Sequence, residues 1–379
     1  CTSMHASYTI CTHHSFAIGE YSVHYDSSNH LSIIFQRHGS VWKNIWPYCV
    51  FNALLTLPNH YLLRPFIKKH IQDYVVTSFG HTISIFIVSF FVVTRATMAL
   101  NCYHEARDNL FKMLSNTREI VSSVLIATKD DQSQSAKEWR NEVAYYSCLL
   151  LRLCMAVCDY RDDKIVPWAV PELQGKIKVQ LLKRNQFKGH SRKWAYRDRT
   201  EVEESYRTPA YMAYYLRMAI SDNKKFLTTP CNPQTMSRFQ SLIDQLMQGY
   251  QGQIRLVGLG FAPFPMVQIS RTMMFLWVFS LPFAIASDSS SSLAHMLCVF
   301  FMTYAFFGLE EMSKQLEDPF GHDDNDFDNL GLARSVMEDV FAIIDIIDGT
   351  DWALQVRDKM MAGDTDRRFS IHTETKSLL

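Results

Sequence analysis

Acidic side chains crowd both sides of a Pro-Phe-Gly turn in the stretch from Leu309 to Asp328. From Asp318 onward this stretch carries mostly Asp, Asn and His, and the turn formed by Pro319 to Gly321 bends the chain among them. Such a bend brings the oxygens of both arms towards one point, where they need either a cation or strong solvation. The sequence therefore leaves two interpretations open: a cation site and an ordinary solvated acidic loop.

The acidic stretch does not have the spacing of an EF-hand calcium loop. Counted from Asp324, the sixth position is Asn329, where the turn requires glycine, and the twelfth is Ser335, where a bidentate Glu belongs. The chain also has no zinc-ligand spacing, no nucleotide-phosphate loop and no nucleophile elbow. The absence of these motifs gives no support to an enzyme. If the acidic stretch binds a cation, it does so with a geometry other than that of an EF-hand.

The composition argues against a nucleic-acid-binding protein and indicates a membrane protein. Lys plus Arg number 38, as do Asp plus Glu, so the formal net charge is +0 and there is no basic excess to attract nucleic acid. Aromatic residues are plentiful, with 25 Phe and 17 Tyr, and long apolar runs concentrate in blocks near 41–100 and 264–309. The 9 cysteines lack paired metal-ligand spacing, and we expect them to be reduced thiols.

The apolar blocks predict four membrane helices. The clearest runs from Thr77 to Leu100 and carries no charge before Arg95, which suits a bilayer span of about 20 residues better than a strand. This helix is expected to continue into water as an amphipathic helix to about Ala127. The other three predicted membrane helices cover 41–58, 266–286 and 293–309, the last two forming a hairpin.

The chain outside the apolar blocks is predicted to be polar and helical. Asn232 and Pro233 together form a helix start, with Asn232 as the N-cap. Weak strand character is expected only at Tyr8–Ile10 and Leu31–Phe35. The predicted organisation is a lead-in (1–40), membrane helices 1 and 2 (41–100), a cytosolic helical region (101–262), membrane helices 3 and 4 (263–310), the acidic loop with C-terminal helices (311–362) and a tail (363–379).

The second predicted membrane helix carries aromatic residues in a stripe. Phe86, Phe90 and Thr94 recur every fourth residue and therefore share one side of a helix, while Ile83 and Ile87 form the neighbouring stripe. Periodicity alone favours contact with lipid or with other helices. If several subunits brought such stripes together, they would form a narrow apolar constriction, which passes weakly hydrated anions more easily than strongly hydrated ones.

Three separated segments resemble the bestrophin family of anion channels. Arg37–Val41 resembles the family's segment before its first membrane helix, and Arg95 with Glu105–Arg107 resembles its pattern along the second. The entry into the third helix at Pro263 also matches. The most specific match is to the family's run Q-L-x-N/D-P-F-G-x-D-D-x-D-F after the last membrane helix, carried here by Gln315, Leu316, Asp318, Pro319, Phe320, Gly321, Asp323, Asp324, Asp326 and Phe327.

The resemblance implies an all-α membrane protein, a bestrophin-like homopentameric channel with four membrane helices per subunit and a large cytosolic helical region. It implies a pore neck lined by Phe86, Phe90 and Thr94, with Ile83 and Ile87 as the alternative register. Thr94 departs from the family, which usually has a bulky apolar residue there.

The resemblance also implies two further sites. One is a cytosolic aperture at Gln234, where relatives often carry Val or Ile. The other is a Ca²⁺ site whose ligands are the backbone carbonyl of Gln315 and the carboxylates of Asp318, Asp323 and Asp326. Animal members of the family complete this site with a backbone oxygen from the N-terminal segment.

The expected function is a Ca²⁺-regulated channel for chloride, with bicarbonate as a second anion, in a lipid bilayer and not an enzyme. The plasma membrane is favoured over a thylakoid membrane. The alternatives are a membrane-anchored helical scaffold and a cation-conducting relative. Because the sequence starts at Cys1 and not at Met, we also expect it to be part of a longer polypeptide, such as an algal fusion of rhodopsin to bestrophin.

Overall fold

A computed structural model of the chain describes residues 29–59, 61, 78–158, 207–259, 262–285, 292–320 and 325–361. Across these residues the secondary structure is helical, without a β-strand. The helices are α1 (His30–Phe35), α2 (Trp42–Pro58), α3 (Ser78–Ala127), α4 (Gln134–Cys158), α5 (Thr208–Ser221), a 3₁₀ turn (Asp222–Lys225), α6 (Pro233–Leu259), α7 (Phe264–Ile285), α8 (Ser292–Glu317), α9 (Asn329–Asp348) and α10 (Thr350–Met361).

The strand expected at Leu31–Phe35 is wrong, because these residues form α1. The Asn29 side chain accepts a hydrogen bond from the Ser32 N–H at 3.2 Å, and the Ser32 hydroxyl donates to the Asn29 carbonyl at 2.8 Å. This N-cap satisfies groups that a short helix otherwise leaves unpaired, and it outweighs the strand preference of the isoleucines. Tyr8–Ile10 lie outside the described residues.

Contacts between residues divide the chain into two compact units. Unit 1 comprises Cys1–His104, Gly260–Pro319 and Asp323–Asp326, and unit 2 comprises Glu105–Leu259, Phe320–His322 and Phe327–Leu379. The 50-residue helix α3 contributes to both, as expected of one long helix that begins near Thr77 and ends at Ala127.

Within the described ranges, four helices are long and apolar enough to cross a membrane. They are Gly80–Ala127, Gln134–Cys158, Phe264–Ala284 and Ser292–Glu317. This set includes α4 in place of the first predicted membrane helix, α2, which has only 17 residues. However, the apolar window of α4 is 89% buried within the protein, so burial in unit 2 explains its composition.

Polar side chains join α2, α7 and α8 inside unit 1. Pro282 lies within α7 and has no N–H, so the carbonyl of Val278 one turn earlier lacks its helical partner. The amide of Asn52 donates to this carbonyl at 3.0 Å and to the Thr303 hydroxyl at 2.7 Å. The Asn59 amide donates to the Pro282 carbonyl at 2.6 Å. These bonds satisfy the irregular backbone of α7, which an apolar environment requires.

A fully buried ion pair joins α4 to the end of α9 in unit 2. The Arg140 guanidinium donates to both carboxylate oxygens of Asp348, and both side chains are 0% exposed. A third nitrogen of Arg140 donates to the carbonyls of Thr128 and Asp131 at 2.8 and 2.9 Å, just beyond the end of α3. One cation therefore fixes three chain segments within this unit.

The cysteines in the described residues are free thiols, and none of these forms a disulfide. This agrees with the reduced state expected from their scatter along the chain. Burial raises the pKa of the Cys148 thiol to about 12, so this group stays protonated at neutral pH. We infer that Cys148 acts as a small apolar side chain in the core of unit 2.

Candidate functional site

One face of α3 in unit 1 is apolar and uncovered by the rest of the described chain. Phe86 is 73% exposed and Phe90 is 66% exposed. On the opposite face, Val88 and Val92 are buried in a cluster with residues of α2, α7 and α8. The two phenyl rings predicted to line a neck therefore share one open face of a helix whose other side is packed.

Thr94, the third residue of the predicted stripe, lies off the open face because a four-residue spacing rotates around the helix. An α-helix rotates by about 100° per residue, so each four-residue step moves the side chain by about 40° and Thr94 lies about 80° from Phe86. Thr94 is half-buried, whereas Val93 is 55% exposed. The alternative pair, Ile83 and Ile87, is also exposed, each at 47%. All five side chains stay candidates for a neck lining.

A cluster of four charges follows the apolar face. Arg95 is 2% exposed, and its guanidinium donates to both carboxylate oxygens of Glu317 at 3.2 and 3.0 Å. A further nitrogen of Arg95 lies 2.8 Å from Glu310, whose same oxygen accepts a hydrogen bond from Arg271 at 2.6 Å. Two cations and two carboxylates thus balance one another while joining α3, α7 and α8.

The acidic stretch begins as a helix, because α8 continues to Glu317. Beyond it, the side-chain amide of Asn325 donates to the Gly39 carbonyl at 3.2 Å and to the Gln315 side-chain oxygen at 3.0 Å. The segment before α2, the end of α8 and the acidic loop therefore meet within unit 1. This places Gln315, a predicted Ca²⁺ ligand, near a backbone oxygen of the N-terminal segment.

The predicted Ca²⁺ ligands are only partly described. Asp318 and Asp326 are half-buried, whereas Asp323 lies outside the described residues. Among the residues with assigned positions, no three His, Cys, Asp or Glu side chains come together closely enough to hold a metal ion. Carboxylate and carbonyl oxygens are the ligand types that Ca²⁺ takes, so the donor set fits the ion in kind. The Ca²⁺ site stays a prediction.

The predicted aperture residue, Gln234, lies at the start of α6 in unit 2. The Asn232 side chain accepts a hydrogen bond from the Thr235 N–H at 2.7 Å, so Asn232 caps the helix as expected. Gln234 is exposed in the first turn. Its role in a constriction stays a prediction.

The charges grouped with Arg95, namely Arg271, Glu310 and Glu317, are the functional candidates that the sequence patterns missed. Arg271 and Glu310 each lie within or at the end of an apolar run, where an unpaired charge would be costly. That location was a usable signal that such charges pair with one another. Which cation meets which carboxylate could not be read from the sequence, because Arg95 and Glu317 are separated by 222 positions.

Comparisons with known proteins agree with these observations. The family described as bacterial/fungal bestrophin protein matches residues 22–341. No curated protein matches the chain. Two crystal structures of variants of a bacterial bestrophin homolog from Klebsiella pneumoniae are similar to it, with TM-scores of 0.65 and 0.64 and identities of 14% and 15%; each comparison covers 79% of this chain and 99% of that chain. At such identities the likeness concerns the fold.

Proposed function

Because this multi-pass membrane chain belongs to the bestrophin family, we propose that it forms an anion channel by assembling as a homopentamer. In this proposal the open face of α3 from each copy lines one axial neck, and chloride and bicarbonate are the permeant ions. The observation that carries the proposal is the exposure of Phe86 and Phe90 on a helix whose opposite face is packed. A cation-selective current or a monomeric particle would contradict it.

The chemistry of the open face suits anions. The edges of aromatic rings carry positive partial charge, and an apolar neck admits most easily the ions that shed water at the lowest cost. Such a neck can also close by dewetting.

We further propose Gln234 as the residue of a second, more polar aperture, and the plasma membrane as the location of the channel. Imaging of a fluorescently tagged chain tests that location.

Phe90→Ala should change ion selectivity. Removing five phenyl rings would widen and wet the neck, so we expect a lower thiocyanate-to-chloride permeability ratio by about threefold or more, together with a larger chloride conductance. The measurement is the reversal potential of purified protein in planar bilayers under asymmetric salt.

Phe301→Ala is a matched control for Phe90→Ala. Phe301 lies on α8 and is 62% exposed, close to the 66% of Phe90. We assign Phe301 to contact with lipid, so its loss should leave the permeability ratio unchanged. An equal shift in both variants, or a shift in Phe301→Ala alone, would refute the assignment of α3 to the neck. Absence of any current at all Ca²⁺ concentrations would favour a helical scaffold.

We propose that Ca²⁺ is held by the Gln315 carbonyl and by Asp318, Asp323 and Asp326. The support is the oxygen chemistry of these groups together with the bond from Asn325 to the Gly39 carbonyl, which joins the loop to the N-terminal segment. A bound divalent cation would supply positive charge that offsets the crowded carboxylates. The residues of the loop would then hold a single conformation next to Glu317, the last residue of α8, which forms an ion pair with Arg95.

Asp326→Ala should weaken Ca²⁺ binding by about tenfold or more, since one anionic ligand is lost. The readout is a titration of the purified protein with Ca²⁺ by calorimetry, and reversal potentials should keep the parent's selectivity. Asp345→Ala, which removes an exposed carboxylate of α9, is the control. A change of selectivity in Asp326→Ala would place the loop in the pore and refute this assignment.

A further inference from the structure

The open face of α3 changes its chemistry after Val93. Thr97, Asn101 and His104 follow on the same face, and all three are exposed. They stand 7, 11 and 14 residues after Phe90, so at about 100° per residue each lies within about 40° of its direction. The aromatic stripe is thus continued by a hydroxyl, an amide and an imidazole, each of which can donate a hydrogen bond.

These three side chains do not serve the core of unit 1. The opposite face of the same segment supplies the core, with Arg95, Ala99 and Cys102 all buried. Among the described residues, neither the Thr97 hydroxyl nor the Asn101 amide makes a hydrogen bond with another group of the chain. Their donors are therefore available to a ligand on the open face.

The charge of the segment favours an anion as that ligand. From Ser78 to His104 the sequence contains no Asp or Glu, so no carboxylate of this stretch lies on the open face. The one guanidinium, that of Arg95, is buried and neutralised by Glu310 and Glu317. Because these side chains can donate hydrogen bonds and the segment from Ser78 to His104 has no carboxylate, this part of the face favours an anion over a cation as its ligand.

We propose that Thr97, Asn101 and His104 form a donor ladder that determines which anions the channel prefers. This inference rests on the proposed neck of α3. An anion leaving the apolar neck has lost water, and the ladder would replace that water with hydrogen bonds. Strongly hydrated anions such as chloride gain more from this replacement than weakly hydrated ones such as thiocyanate. The ladder therefore opposes the preference imposed by the phenyl rings.

Thr97→Val and Asn101→Leu test the ladder, because each removes the donor at nearly constant volume. Each variant should raise the thiocyanate-to-chloride permeability ratio, by about threefold to tenfold, the range expected for one net hydrogen bond. Thr97→Ser, which keeps the hydroxyl, should retain the parent ratio. The measurement is the reversal potential in planar bilayers with thiocyanate on one side and chloride on the other.

Ser84→Ala is the control on the same helix. Ser84 is exposed but lies away from the open face, and its hydroxyl already donates to the Gly80 carbonyl at 2.8 Å. The thiocyanate-to-chloride permeability ratio of Ser84→Ala should equal that of the parent protein. A parent protein without anion current refutes the proposed function. A parent with anion current, but with the same ratio in Thr97→Val and Thr97→Ser, refutes the ladder alone. That pair also decides the matter if Asn101→Leu does not assemble.

Discussion

Asp348→Asn should lower the free energy of unfolding by about 3–5 kcal/mol, among the largest effects expected of any single substitution in this chain. Asparagine keeps the shape of aspartate but removes the charge, so the Arg140 guanidinium would stay buried without a counter-ion. Both side chains of this pair are 0% exposed, so water cannot replace the lost partner. The carbonyls of Thr128 and Asp131 would still accept from Arg140, but they carry only partial charge.

Asp339→Asn is the matched control, because it makes the same change on the same helix. Asp339 pairs with Arg118 at 2.5 Å, but the two side chains are 51% and 39% exposed. Water and salt screen such a pair, so its loss should cost about 0–1 kcal/mol. Chemical unfolding in detergent, followed by tryptophan fluorescence, measures both variants. Equal losses of unfolding free energy in the two variants would show that the buried Arg140–Asp348 pair stabilises the protein no more than the exposed Arg118–Asp339 pair.

Arg95→Met should be comparably destabilising, at about 3–5 kcal/mol, because it leaves the two carboxylates that pair with Arg95 with one remaining cation, Arg271. Glu310 is only 10% exposed at its side chain and would keep Arg271, whereas Glu317 is 22% exposed and would lose its bidentate partner. The joint between α3 and the end of α8 should loosen. We therefore expect less assembled protein and a lower midpoint of thermal unfolding.

Arg271→Met separates the role of Arg95 from a general need for positive charge. Arg271 is 43% exposed and makes one bond to Glu310, so its loss should cost about 1 kcal/mol or less. Combining Arg95→Met with Glu317→Gln should recover part of the loss, since the unpaired carboxylate is removed along with its partner. Additive losses in this double variant would contradict a direct coupling between Arg95 and Glu317.

Much of the fold was predictable because its signals are local. Periodicity, length and lack of charge identified α3 to within a residue of its observed start, and the Asn232 cap located the start of α6. Length and hydropathy alone would rank α4 above α2 as a membrane helix, because α2 has only 17 residues. The sequence instead predicted α4 as part of the polar helical region, and the observed burial of α4 in unit 2 agrees with that.

The candidate site was predictable in its parts but not in its connections. The stripe through Phe86 and Phe90 follows from helix periodicity, and both rings are exposed together as expected. Val93 is exposed, whereas its neighbour Thr94 is half-buried. Residues spaced by four rotate by about 40° around the helix at each step, so the third residue of the stripe leaves the open face. A match to a sequence motif does not take this rotation into account. The ion pair of Arg95 with Glu317 depends on tertiary packing and has no local signal.

The bond from Asn52 to the Val278 carbonyl has a consequence for biosynthesis. Asn52 and its partners Val278 and Thr303 are separated by 226 and 251 positions, so the ribosome delivers α2 to the bilayer long before either partner exists. Until then the Asn52 amide has no partner, and α2 is a helix of only 17 residues. Both features weaken the insertion of α2 into lipid. Stable integration of α2 must therefore await the emergence of α7 and α8, and a nascent chain stopped before Pro282 would be a substrate for quality control.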